Sequence, residues 1–194
     1  MRTTRIAGIM AAFGIAGLAA GCGSTSSTKS GTETLSASST GSKAVATLES
    51  QSSNTPLVFP EMTWAGVVST TAHNVSLGGG GNGSEHTFET PAGDFAVVHV
   101  SKNPGGVESV TGPVNGMCTF KNVMSGTYTV VTDKSTGSFK GATGHGGFAV
   151  TISGTGPIQA KATKCSSGAN GPNVSGIKSA SIVFNASGPL TVKP

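Results

Sequence analysis

Residues Thr136 to Val150 read TGSFKGATGHGGFAV, five glycines and one histidine in fifteen residues. Such a run is either a phosphate-cradling loop with His145 beside it or backbone punctuation between strands. A phosphate loop needs a strand, a glycine-rich turn and then a helix whose N-terminal amides meet the phosphate. Here Phe148, Val150 and Ile152 alternate with Ala149, Thr151 and Ser153 straight after the glycines, which is the period of a strand. No Lys-Ser or Lys-Thr pair follows the last glycine, so a Walker motif is absent. The stretch therefore predicts a hairpin system. Gly126–Asp133 (GTYTVVTD) runs in, residues 134–137 turn, SFKGAT forms a half-strand, GHGG bends, and FAVTIS runs out. Glycine suits such places because it accepts positive φ and lets backbones approach closely.

The same signature extends outward from this point. From Pro56 to Pro194 short apolar runs of period two are separated by Gly, Pro, Asn and Ser clusters. TWAGVVSTTAHNVSL, EHTFET, DFAVVHVS, MCTFKNV, GTYTVVTD, GFAVTIS, PIQAKAT, KSASIVFNAS and LTVK supply eight or nine strands, and no eleven-residue window carries a 3.6-residue stripe. The predicted class is all-β, an antiparallel eight-stranded barrel or, alternatively, a β-sandwich, formed by residues 56–194. In DFAVVHV, Phe95, Val97 and His99 share one face and Ala96, Val98 and Val100 the other, which reads as a strand covered on both sides. GGGGNGS, from Gly78, reads as the most flexible loop of the domain.

Composition excludes one large class of function. The formal net charge is +4, but Arg2 and Arg5 are the only arginines. From Pro56 onward eight lysines face six acidic residues. Nucleic-acid recognition leans on arginine forks and clustered basic faces. Neither is present, so no nucleic-acid partner is expected.

The N-terminus speaks about location. MRTTRIAGIMAAFGIAGLAAGCGS has two arginines, an apolar run from Ile6 to Ala20 and small residues before Cys22. That is the three-part layout of a secretory signal, and the run is shorter than the roughly twenty residues of a permanent span. LAAGC, Leu18 to Cys22, resembles the lipobox of bacterial lipoproteins, although leucine stands four rather than three positions before the cysteine. The resemblance implies a signal peptide over 1–21, acylation of Cys22, and a partner in the membrane, with the protein held at the extracytoplasmic face by its lipid. Residues 22–55, rich in Ser, Thr and Gly, read as a disordered tether. With Cys22 committed to lipid, Cys118 and Cys165 remain as an even pair in an oxidising compartment, and a disulfide between them is expected. No CxxC or HxxxH spacing points to a metal, and no cofactor is implied.

Gly126, Tyr128, Gly137, Phe139, Gly141, Ala142, Thr143, Gly144, Gly146 and Phe148 together resemble the glycine-rich stretch of allene oxide cyclase-like and dirigent-like β-barrels. The match is strong over about 25 residues and loose over about 100. It implies an eight-stranded antiparallel barrel able to hold a small apolar molecule. Dirigent-like members place acidic and arginine side chains in the cavity. This chain has no arginine beyond Arg5, so no catalytic residue carries over.

The histidines are His73, His86, His99 and His145, too dispersed in sequence to argue for a metal. His99 reads as a core or cavity residue and His145 as exposed at a bend. No G-x-S-x-G elbow is present. Two functions remain. One is a non-enzymatic lipoprotein whose barrel binds a small hydrophobic ligand or an envelope partner. The other is a cyclase- or isomerase-like enzyme with His99, Glu89 or Asp94 as acid–base groups. The absence of any assembled constellation of roles favours the first. An apolar, open cavity holding a histidine or carboxylate would favour the enzyme, and a barrel filled by Phe and Val would leave only its surface. Nothing in the chain sets an oligomeric state.

Overall fold

The computed structural model describes residues 27–49, 56–77, 83–103, 106–168, 171–172 and 176–193. The expected signal peptide, Cys22 and most of the GGGGNGS loop lie outside the described residues.

The elements run β1 (Lys29–Thr40), α1 (Gly41–Glu49), β2 (Leu57–Ala65), β3 (Thr70–Leu77), β4 (Glu85–Thr90), β5 (Gly93–Ser101), β6 (Val107–Val114), β7 (Met117–Val130), β8 (Thr143–Pro157), the two-residue strands β9 (Ser167–Gly168) and β10 (Gly171–Pro172), and β11 (Ser179–Val192). Every pairing in the main sheet is antiparallel, in the order β3-β2-β1-β11-β8-β7-β5-β4. β6 lies beside the first half of β7 and β5 beside its second half, so eight strand positions curl into a nearly closed barrel. β3 and β4 end the hydrogen-bonded path and meet as a seam without a ladder. The barrel reading thus holds.

One boundary moves. Residues 29–40 belong to the barrel: β1 pairs with β11 over twelve residues and with β2 over four. The tether reading missed this strand because its inward positions are Glu33, Leu35, Ala37 and Ser39, of which only one is bulky and apolar. Strand pairing satisfies the backbone whatever the side chains are, and Leu35 and Ala37 are the strand's contribution to the apolar core. α1 follows, packed on β11 through the fully buried Ala44 with Val45 and Leu48 against the core. Its apolar stripe is only three residues long, too short to stand out as a helical period.

Other strands differ in extent. MCTFKNV and GTYTVV join into the single strand β7, and KSASIVFNAS and LTVK into β11. PIQAKAT contributes only the end of β8 and an isolated bridge before turning away, while β6 was not anticipated. Cys118 at the start of β7 is bonded to Cys165, with sulfurs 2.05 Å apart. That disulfide pins the segment after β8 to the sheet.

The quoted glycine run resolves into two parts. Residues Thr132–Lys134 and Gly137–Phe139 form two 3₁₀ turns that fold across the end of β5. Val131 N–H donates to Ala96 O at 2.8 Å, Thr136 N–H to Asp94 O at 2.9 Å and Ser138 N–H to Ala92 O at 2.7 Å. This lacing drives Phe139, with no exposed surface, into the barrel end against Phe95 at 4.9 Å between ring centres. Phe88 and Trp64 complete the cluster. GHGG is no bend but part of β8, and His145 is exposed on that strand. Glycine is required at position 146 because a Cβ there would meet the Tyr128 ring at 2.6 Å. Gly146 pairs with Tyr128, and the two lie in one row of the ladder.

Candidate functional site

The aromatic cluster closes one end of the barrel, and above it the interior is not filled. An apolar cavity of about 220 Å³, open on one side, is lined by Leu35, Phe88, Phe95, Val97, Phe148 and Phe184 among others. It lies toward the end where β3 finishes and β4 begins, since Leu57, Leu77, His86 and Ser101 also border it. Phe88 and Phe95 belong to both structures, so the aromatic cluster is the floor of the cavity.

Three of its four polar side chains sit together on one wall, the fourth being Ser101 two residues beyond His99. His99 on β5 stands directly opposite Tyr128 on β7 in the ladder. His86 on β4 stands opposite Val97, so it shares the inward face with His99 two residues along. All three border the cavity. The His86 imidazole hydrogen-bonds the Ser76 carbonyl of β3, which carries a side-chain bond across the unpaired seam. Burial lowers its pKa from the ordinary 6.5, the bond to Ser76 opposes that, and repulsion from His99 adds to it. His99 meets the edge of Phe148, with ring centres 6.2 Å apart. Burial raises the pKa of Tyr128, and the Glu33 carboxyl raises it further. Among the described residues the Tyr128 hydroxyl has no hydrogen-bond partner.

Glu33 is the buried charge of this interior, 1% exposed. Its Oε2 accepts a hydrogen bond from Val68 N–H at 3.0 Å, and Val67 also contributes a backbone bond. Burial raises its pKa from 4.5, against the effect of those amides. Among the described residues its Oε1 has no partner, nor has the buried indole N–H of Trp64. The Glu33 carboxyl folds the β2–β3 connection over the barrel end, a structural task that uses one of its two oxygens.

The sequence-predicted residues separate. His99 lines the cavity. Glu89 and Asp94 do not. They face each other across β4 and β5 next to the turn at Thr90 and Gly93, at the plugged end. Glu89 is exposed, and the Asp94 carboxylate accepts the Thr136 hydroxyl at 3.1 Å. Their odd–even position settles this, since Phe88 and Phe95 take the inward places beside them. His73 lies outside against Glu61 at 3.8 Å. His86 and Tyr128 were missed. Period two in EHTFET puts His86 on the face of Phe88, and in GTYTVV puts Tyr128 on the face of Val130, a signal that the sequence does hold. Comparison of the chain with protein-family models, curated proteins and solved structures finds no match.

Proposed function

We propose that this is a membrane-anchored extracytoplasmic lipoprotein, acylated at Cys22, whose barrel is of the allene oxide cyclase-like or dirigent-like kind and binds a small hydrophobic molecule without transforming it. The observation that carries the reading is the apolar cavity of about 220 Å³ between the aromatic floor and the β3–β4 seam. Small apolar ligands occupy cavities of that kind: one of about 150 Å³ lined by aliphatic and aromatic groups takes up benzene. The same scaling gives roughly nine or ten non-hydrogen atoms here. For ten atoms a dissociation constant of about 1 µM corresponds to about 0.8 kcal/mol per atom, inside the ceiling of about 1.5. Micromolar binding is therefore the expected range.

The second reading is a cyclase- or isomerase-like enzyme, and the two histidines and the tyrosine on the cavity wall favour it. Against it, among the described residues no carboxylate borders the cavity and no acid–base pair with matched roles is assembled.

Native mass spectrometry of the exported protein after gentle extraction tests the reading. The expected species begins at an acylated Cys22, lacks two hydrogens for the disulfide and carries a releasable mass of roughly ten non-hydrogen atoms. A chain beginning at Met1 refutes the anchor. A protein that neither retains nor takes up any apolar compound refutes the ligand.

A further inference from the structure

The cavity is apolar almost throughout, and its few polar groups are not scattered. His86, His99 and Tyr128 come from three successive strand positions, β4, β5 and β7, and face one another across a single patch of wall. The other walls are hydrocarbon: Leu35, Leu57, Leu77, Met124, Val150 and Phe184. An occupant would thus find an oily chamber with one wet corner.

The chemistry of that corner narrows what it holds. The ring of Tyr128 is seated against Gly146, and a methyl group at either Gly146 or Gly188 would collide with neighbouring backbone. The Tyr128 hydroxyl, without a partner among the described residues, offers a donor to the cavity. His86 uses part of its hydrogen-bonding capacity on Ser76 and keeps the other ring nitrogen. Among the described residues no Lys, Arg, Asp or Glu side chain borders the space. Burying an ionised group without a partner is costly, so an ion finds no Lys, Arg, Asp or Glu charge here to neutralise it, and the two imidazoles are neutral donor–acceptors unless they take up a proton.

We propose that the cavity selects a neutral molecule of roughly ten non-hydrogen atoms with a hydrocarbon body and one oxygen function, an alcohol, phenol or ketone, held by the Tyr128 hydroxyl and the His86–His99 pair. The proposal rests on the reading of the cavity as a ligand site and adds the class of ligand. It also explains why the three polar side chains stand together on one wall of an otherwise hydrocarbon chamber.

Three compounds on one skeleton test it: isopropylbenzene, 4-isopropylphenol and 4-isopropylbenzoate, titrated by calorimetry into the full exported chain at pH 8. The phenol is expected to bind about tenfold more tightly than the hydrocarbon, the gain of one good hydrogen bond, and the benzoate more weakly than either. Tyr128→Phe keeps the ring and removes only the hydroxyl. It is expected to cut the phenol's advantage to about threefold or less while leaving the affinity for isopropylbenzene as it was. Equal binding of hydrocarbon and phenol by the unaltered protein overturns the proposal and leaves the ligand site standing. Preference for the benzoate overturns the neutrality argument. An unchanged advantage in Tyr128→Phe removes the tyrosine from the recognition. Failure of all three compounds to bind refutes the cavity as a site for molecules of this size, which is the earlier reading itself.

Discussion

The two ends of the barrel interior are built from the same strands and treat space in opposite ways. At one end Trp64, Phe88, Phe95 and Phe139 interlock, and the last of them is driven in by a laced pair of 3₁₀ turns. At the other the strands leave a cavity with His86, His99 and Tyr128 on its wall. Strand number does not decide between a filled and a hollow barrel; side-chain volume in each layer does. Where β8 and β11 present Gly146 and Gly188 in the Tyr128 row, volume is missing, and the tyrosine ring leans into the gap.

Truncation should separate the ends most sharply. Phe139→Ala removes a ring with no exposed surface from a region that has no slack to collapse into, and should cost about 4 kcal/mol of unfolding free energy. Phe148→Ala removes a ring that already borders open space and should cost no more than about 2 kcal/mol. Urea denaturation of the two variants reads the difference directly. Equal losses would mean that the cavity wall is packed as tightly as the plug.

The disulfide tests whether the cavity side can be loosened without disturbing the plug. Cys118 and Cys165 are 47 positions apart, a loop whose closure corresponds to about 4 kcal/mol in the chain-entropy model, with about 2 as the lower expectation. Replacing both by alanine should lower stability by that amount. Trp64 is the chain's single tryptophan and sits in the plug against Phe88, with ring centres 5.7 Å apart. Its native emission should therefore stay unchanged in the double variant. A shift of that emission would show that the two ends are mechanically coupled.

How much of this was legible in the sequence follows from the same contrast. Alternation named the class and the cavity face of His99, because Phe95 and Val97 mark that face unmistakably. It failed at β1, where Glu33, Ala37 and Ser39 point inward and hydrophobic period is nearly silent; pairing with β11 reveals the strand, and pairing is not written in any local run. Chemistry alone singles out Glu89 and Asp94 as acid–base groups, whereas parity turns them outward, because Phe88 and Phe95 beside them claim the inward positions. The glycines of GHGG were read as a bend because glycine permits one. Here Gly146 answers a crowding by Tyr128 and, with Gly144, by the neighbouring β11 backbone, a cause that exists only once the strands are side by side.

The smallest expected effect is in the pH dependence of stability, where the two ends should pull in opposite directions. Glu33, beside the plug, has its pKa raised above 4.5 by burial. The folded state therefore favours its protonated form, and the stability it contributes is full below 4.5 and lost as pH rises through the raised value. His86, on the cavity wall, has its pKa lowered below 6.5, again chiefly by burial. The folded state favours the neutral ring, so stability is full above 6.5 and lost as pH falls through the lowered value. Between those limits the two slopes oppose and partly cancel in the intact protein. Glu33→Gln should leave the rising limb alone, and His86→Gln the falling one, in urea midpoints measured at intervals from about pH 4 to pH 8. If Glu33→Gln keeps the profile of the intact protein, the carboxyl is not desolvated in the way its 1% exposure requires. If His86→Gln keeps it, the seam at Ser76 admits enough water to solvate the imidazolium, and the cavity is open where the barrel fails to pair.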